Sequence, residues 1–517
     1  MSRDILIGID AGTSVIKSVA FDVAGRQIAR ASVPNRYNSG PGGAATQPMA
    51  RTWDDCAKTL RDLGQQLSDL AARVAAIAVT GQGDGTWLVG AGNAPVGEGW
   101  LWLDARAGAI AANLAARPED AARFEATGTG LAACQQGPQL LHMKAHTPDA
   151  LASAECAFHC KDWLYLMLTG VRATDPSEAS FSFGNFRTGA YDTAVIESLG
   201  LAAERRLLPE ICDGTTTTHP LTEEAAAAIG LRAGTPIALG FVDVTCTALG
   251  AGAHVPGERT GCTIVGTTGM HIECKAPGEV HINKDRRTGY VMPMPAPGLV
   301  AHIQTNMAGT LNIDWVLGLA KDVAKSLGAE GDFLSKVDGW IGAAPPGSLI
   351  FHPYISQAGE RGPFTDHTAR ASLIGLSTAH GFADLVRGAV EGLAMASRDC
   401  YTAMGAVPDT VTLTGGAAQS AALRAILAGT LNAKVRRSER GEAGAAGAAM
   451  MAAVATGVYP TMDAAIAEWV VPHLSAEEAP DAALCATYDS LFPHYRAAQD
   501  ALRPIWHGLE QHRDALP

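Results

Sequence analysis

Two well-separated segments of this chain repeat one pattern: an apolar strand, a glycine-threonine turn and a second strand. The first runs from Ile5 to Asp22 around Asp10-Ala11-Gly12-Thr13-Ser14, the second from Thr260 to Glu273 around Gly266-Thr267-Thr268-Gly269. Lying about half a chain apart, they read as a coarse internal duplication of topology. The 517 residues exceed what one hydrophobic core usually supports, so two domains are expected. A border near Leu249–Pro256 fits, because the Ala-Gly-Ala-His-Val-Pro-Gly composition from Ala251 onward suits a hinge. The expected division is 1–248, 249–460 and a helical extension over 461–517.

The chemistry of the first turn reads as a phosphate grip. Gly12 is expected to turn the backbone with positive φ and to let an anion approach the peptide N–H groups, with Thr13 and Ser14 hydroxyls as further donors. Asp10, ending a buried strand, repels a phosphate unless a cation lies between them, and Mg²⁺ with bound water reconciles the charges. The alternative is an ordinary hairpin turn in which Asp10 and Ser14 satisfy local backbone groups.

Charge narrows the partners. A formal net charge of −13, with no Lys/Arg run long enough for a basic stripe, argues against nucleic acid or an anionic membrane as partner. No signal-peptide pattern opens the sequence and no apolar run reaches membrane-spanning length, so a soluble cytoplasmic protein is expected. The ten cysteines read as reduced thiols. His159-Cys160, near Cys156, lacks structural-zinc spacing and reads as the entry to a helix.

Further along the first half, Gln27–Val33 alternates like a third strand, a helix is expected over Trp53–Leu70, and a buried strand over Val74–Thr80 ends in the polar Gly81–Gly85 loop, a natural ligand site. The second half predicts a helix near Gly381–Met404, a strand at Thr410–Leu413, the loop Thr414–Ser420, a helix on to Leu431, and a small-residue helix over Glu442–Thr456 suited to close packing. The last fifty or so residues read as capping helices.

No G-x-x-x-x-G-K-[ST] P-loop occurs, and Gly81-x-Gly83-x-Gly85 lacks dinucleotide-fold spacing. The three glycine loops Asp10–Ser14, Gly266–Gly269 and Gly415–Ser420, in that order, instead resemble the phosphate-one, phosphate-two and adenosine motifs of the actin-like ATPases. Within that superfamily the chain resembles the FGGY carbohydrate kinases over nearly its whole length. Ala371-Ser372-Leu373-Ile374-Gly375-Leu376, then Asp384-Leu385 and Ala389-Val390-Glu391-Gly392, is close to that family's C-terminal signature, departing at Gly388, where Ala or Ser is usual. Gly240-Phe241-Val242-Asp243 is similar to the segment carrying its catalytic aspartate, and Trp102-Leu103-Asp104-Ala105-Arg106 to its sugar-side element.

The resemblance implies an α/β fold of two actin-like (ribonuclease H-like) domains with a cleft between them, and transfer of the ATP γ-phosphoryl group to a hydroxyl of a small polyol or ketose. Asp243 is then the base, or else a helix cap. Asp10 would hold Mg²⁺, with Gly12, Thr13, Ser14, Gly266, Thr267 and Thr268 on the phosphates. Lys17 either assists electrostatically or forms an ion pair on its strand. Gly415 and Gly416 would lie against adenine and ribose, with Ser420 a weaker polar contact. On the acceptor side Gln82, Asp84, Trp102, Asp104 and Arg106 would bracket the substrate, or Asp104 and Arg106 form a structural pair beside a core Trp.

Departures bear on the acceptor. Glycerol kinases carry Arg-Glu on the loop equivalent to Gln82–Asp84 and Gln after the catalytic Asp, where this chain has Gly83-Asp84 and Val244; the Met-His pair of D-xylulose kinases is absent too. The opening wording and the downstream Ala-Ser-Val-Pro-Asn-Arg-Tyr are similar to family members acting on erythritol, the expected acceptor. Ribitol, L-xylulose, D-xylulose and glycerol are the alternatives, and an actin-like ATPase working on a protein partner is a remoter one. A homodimer is left open.

Overall fold

The computed structural model describes residues 3–514. Ile5–Ala11 (β1) and Val15–Asp22 (β2) form the expected antiparallel hairpin, with Asp10 opposite Lys17, and Gln27–Pro34 (β3) pairs with β2. The first helix, Met49–Gln66 (α1), begins a turn earlier than expected. Pro48 stands immediately before it, and Asp69, in left-handed conformation, separates it from a short turn at Leu70–Arg73. The buried run then forms Val74–Gly81 (β4), parallel to β1, and Pro236–Leu239 (β5) lies parallel to β4. From β5 the chain passes into the helix Asp243–Ala251 (α2).

The second half repeats this plan. Thr260–Val265 (β6) and Gly269–Lys275 (β7) form an antiparallel hairpin, Val300–Asn306 (β8) pairs antiparallel with β7, Thr410–Thr414 (β9) is parallel to β6, and, after the helix Ala421–Leu431 (α3), Lys434–Arg437 (β10) is parallel to β9. The sheet orders β5-β4-β1-β2-β3 and β10-β9-β6-β7-β8 match strand for strand, each with one further edge strand, Thr218–Pro220 and Tyr290–Pro293 respectively. In both sheets the glycine-rich turn follows the central strand.

Ala443–Ala455 (α4) packs on β1, β4 and α2, although it follows the second sheet in the chain. Backbone meets backbone here: a Cβ on Gly8 would run into the Ala445 carbonyl, and one on Gly447 into the Cys246 carbonyl. Leu249–Ala251, expected as hinge, instead form the last turn of α2, buried in a core that also takes Cys262 and Ile272 from the second sheet. The chain leaves that helix at Gly252, φ 86°. The C-terminal extension supplies Met462–Trp469 and the long helix Ala482–Asp514. No helix among the described residues is long and apolar enough to cross a membrane.

Candidate active site

The first turn differs from expectation in how its glycine and threonine are used. Gly12 does not adopt positive φ; its N–H donates to the Val15 carbonyl at 3.1 Å, and a Cβ would sit 3.2 Å from that oxygen, so space is what favours glycine there. The Thr13 hydroxyl is not free for an anion, because it donates to Gln82 Oε1 at 2.9 Å and accepts the Trp102 indole N–H at 2.7 Å. Gln82 in turn donates to Gln47 Oε1 at 2.9 Å, and Gln47 Nε2 to the Thr13 carbonyl at 3.2 Å. Gln82 is thus a brace for the turn. Ser14 is exposed, and Asn35 fixes the loop by donating to the Gly12 and Ser14 carbonyls.

Behind the turn, burial pushes the Asp10 carboxyl up, opposed by Lys17 and reinforced by Glu442. Lys17 Nζ lies 2.9 Å from Glu442 Oε2 and 3.9 Å from Asp10 Oδ2, so the strand ion pair is formed and its main partner is Glu442, which the sequence did not reveal. Asp243 opens α2; the cap position is held by Val242, and no side-chain cap bond is made. Its segment is pinned by Thr80, whose hydroxyl donates to the Phe241 carbonyl at 2.6 Å, and by the Val242 N–H donating to Ser177 Oγ at 3.1 Å. Asp243 is walled by protein while keeping an opening to solvent, and its pKa is raised to about 7, first by burial and then by the charge of Asp10. A carboxylate poised near neutrality beside a second one suits proton acceptance.

In the second half the turn Gly266–Thr268 leaves both threonines exposed, while Gly309 and Thr310 donate N–H groups to the Thr267 and Gly266 carbonyls at 2.7 and 2.8 Å. Gly415 has φ 95° and lies so close to β6 that a Cβ would be 2.5 Å from the Val265 carbonyl oxygen. Gly416 is exposed, with no atom within 4 Å of where its Cβ would stand. Ser420 has a different employment: it caps α3 by accepting the Leu423 N–H and donates to Asp338.

On the acceptor side, Asp104 and Arg106 form the structural pair. Asp104 is buried, accepts the Ala45 N–H at 2.9 Å and binds Arg106 Nη2 at 2.6 Å, while the guanidinium stacks 3.4 Å over Trp100. Their polar groups therefore serve each other. Asp84, held at φ 56°, is different: Oδ2 accepts Tyr290 OH at 3.1 Å and the Cys134 thiol at 3.4 Å, whereas Oδ1 is buried with no partner among the described residues. Burial raises its pKa, with Arg361 among the opposing charges. Cys134, Tyr290 and Arg361 were missed by sequence reasoning and carry no local motif that could have flagged them. His159 caps the helix Cys160–Thr169, and no metal-binding group of three His, Cys, Asp or Glu occurs among the described residues.

Duplicated sheets, each with a glycine turn after its central strand, and an aspartate opening the helix that leaves the first sheet form the two-domain frame of the actin-like class. Family models for the N-terminal and C-terminal domains of the FGGY carbohydrate kinases match residues 5–250 and 261–456, and the chain belongs to that family. It is a phosphotransferase. Among its relatives it is 59% identical to the erythritol kinase of Brucella abortus (strain 2308), over 98% of each chain, and 24% identical to the L-xylulose/3-keto-L-gulonate kinase of Escherichia coli (strain K12), over 98% of this chain and 99% of the other. The ligand-bound xylulose kinase of Lactobacillus acidophilus superposes with a TM-score of 0.87 at 22% identity, covering 98% of this chain and all of that one.

Proposed function

We propose that this chain is a cytoplasmic erythritol kinase that transfers the ATP γ-phosphoryl group to an erythritol hydroxyl, with Asp243 as the base. The observation carrying the mechanism is the placement of Asp243, raised to about 7 at the opening of α2 beside Asp10. Asp243 accepts the acceptor's hydroxyl proton as that oxygen bonds to phosphorus and ADP leaves with the electrons of the broken P–O bond. The acceptor assignment is supported by the 59% identical erythritol kinase and by the absence of the glycerol-type Arg-Glu and xylulose-type Met-His pairs.

Asp10 would hold Mg²⁺, which supplies charge neutralisation on the phosphates. One carboxylate in a place without a full protein cage fits an ion that keeps waters and phosphate oxygens as its other ligands. Backbone N–H groups at Thr13 and Ser14, with the exposed Thr267 and Thr268, would cradle the phosphates beside Gly12, and open space at Gly416 would take the nucleoside. Lys17, through Glu442, holds α4 against β2. Trp102 would cover a C–H face of the acceptor beside Asp84. The test is ADP release at saturating MgATP with erythritol, glycerol, ribitol, D-xylulose and L-xylulose. Erythritol is expected to give the highest kcat/KM; a ketose ahead by tenfold would reject the acceptor and leave the kinase.

A further inference from the structure

Asp84 and Arg361 come from the two halves of the chain and feel each other's charge across Cys134, and neither has an ion-pair partner among the described residues. One oxygen of Asp84 is buried and unpartnered, while the other is occupied by Tyr290 and Cys134. The half-buried Arg361 guanidinium has the Cys134 thiol, the Tyr290 phenol and the Asp84 carboxylate around it, with Cys134 as its hydrogen-bond neighbour, and it makes no ion pair within 4.0 Å among the described residues. A buried acceptor without a donor costs stability unless a ligand completes it.

The backbone at Arg361 is firmly held. Glu360 Oε1 accepts the N–H groups of Arg361 and Met307 at 2.9 and 2.8 Å, and Asn306 Nδ2 donates to the Gly362 carbonyl at 2.8 Å. Asn306 Oδ1 in turn lies 2.9 Å from His271 Nε2, and His271 Nδ1 lies 3.2 Å from the Thr263 hydroxyl. Burial lowers the His271 pKa to about 4, so at neutral pH the ring carries one proton, on Nε2 for Asn306, and accepts from Thr263 at Nδ1. Thr263 and His271 stand on β6 and β7, the hairpin whose turn is Gly266–Thr268. Arg361 therefore belongs to the same rigid unit as the second phosphate turn, and Asp84 to the loop that follows β4.

We propose that Arg361 is an acceptor-binding, specificity-determining residue that, with Asp84, clamps a vicinal diol of the acceptor away from the reacting hydroxyl. A carboxylate oxygen accepts one hydroxyl hydrogen, and the guanidinium donates to the oxygen of the neighbouring hydroxyl. An alditol offers such a pair at every adjacent carbon. A ketose carbonyl placed at Asp84 has no hydrogen to give, and a deoxy analogue leaves one half of the clamp empty.

The inference rests on the polyol kinase reading, and its test uses whichever polyol turns over best together with its counterpart lacking one inner hydroxyl; for erythritol this is 1,2,4-butanetriol. If no polyol is phosphorylated by the wild type, the function reading and the clamp fall together, whereas a failure of the clamp alone leaves wild-type turnover intact. Arg361→Gln is expected to raise acceptor KM at least tenfold with KM for ATP within about twofold, and to shrink the wild-type preference for the polyol over its deoxy counterpart by a similar factor. Arg361→Lys is expected to recover part of both. Unchanged acceptor KM in folded Arg361→Gln, or an unchanged preference ratio, overturns the proposal. Tyr290→Phe, which frees Asp84 Oδ2 without altering charge, guards against a folding artefact: it should raise acceptor KM and spare KM for ATP, and an unchanged acceptor KM counts against the clamp.

Discussion

Trp102 donates its indole N–H to the Thr13 hydroxyl at 2.7 Å, so the Trp102 segment is bolted to the glycine-threonine turn that follows β1. Thr13 passes the bond on to Gln82 and Gln82 to Gln47, which makes the turn, the loop after β4 and the Trp102 segment one hydrogen-bonded piece.

Trp102→Phe keeps an aromatic ring and deletes that bond. A net hydrogen bond is worth about 1 kcal/mol, so KM for both ATP and acceptor should rise roughly three- to tenfold. Steady-state kinetics with each substrate varied in turn is the check. A rise confined to the acceptor would mean that the turn does not depend on Trp102.

Asp243→Asn tests base and burial together. A general base contributes about 10²- to 10⁴-fold, so kcat should fall by that order while ATP still binds. In the wild type, activity should decline as pH drops through about 7, where the carboxylate takes up its proton. Stability moves the other way. Because the folded-state pKa is raised from 3.8 to about 7, the contribution of Asp243 is fully present below the unfolded value and lost as pH climbs through the folded one. The permanently neutral Asn should therefore melt higher than wild type at pH 8, with the gap closing toward pH 4. Calorimetry at both pH values decides it, and a lower melting temperature at pH 8 would contradict the burial of this charge.

The hairpins were legible because alternating apolar residues and glycine turns are local signals, and the duplication doubled them. The roles of Thr13, Asp104 and Arg106 were not, since what their polar groups do depends on Gln82, Trp102 and Ala45, brought near only by the fold. Asp104 looks alike in sequence whether it faces a sugar or the Ala45 N–H. Ser420 was ambiguous in the same way, as a loop-end serine before a helix serves a ligand or the helix itself. Tyr290 and Arg361 had no signal at all, being single residues on an edge strand and a loop that reach the site from the other half.

The two glycines of the loop after β9, proposed to take the nucleoside, should separate cleanly on mutation. Gly415→Ala meets both a φ of 95° and the Val265 carbonyl, so it should lower stability whether or not nucleotide is present. Gly416→Val meets no protein atom and should leave the melting temperature of the free protein nearly unchanged while raising Kd for ATP. Thermal melts with and without MgATP, together with titration calorimetry, measure both. Unaltered ATP affinity in Gly416→Val would remove this loop from the nucleotide site.

Gly447 lies where α4 crosses α2, with the Cys246 carbonyl occupying the space a methyl group would need. That neighbour is backbone inside a helix and cannot rotate away, so Gly447→Ala must push the two helices apart. Overpacking of this kind typically costs about 1–3 kcal/mol. The displacement would also be felt at the site, because α2 begins with Asp243 and α4 begins beside Glu442, the partner of Lys17. Gly447→Ala is thus expected to lower both melting temperature and kcat, although what it meets is the Cys246 backbone. Gly441, exposed and with no atom within 4 Å of a would-be Cβ, is the control, and Gly441→Ala should change neither. If Gly447→Ala lost stability but kept wild-type kcat, the crossing of α2 and α4 would be a structural joint that does not set the position of Asp243.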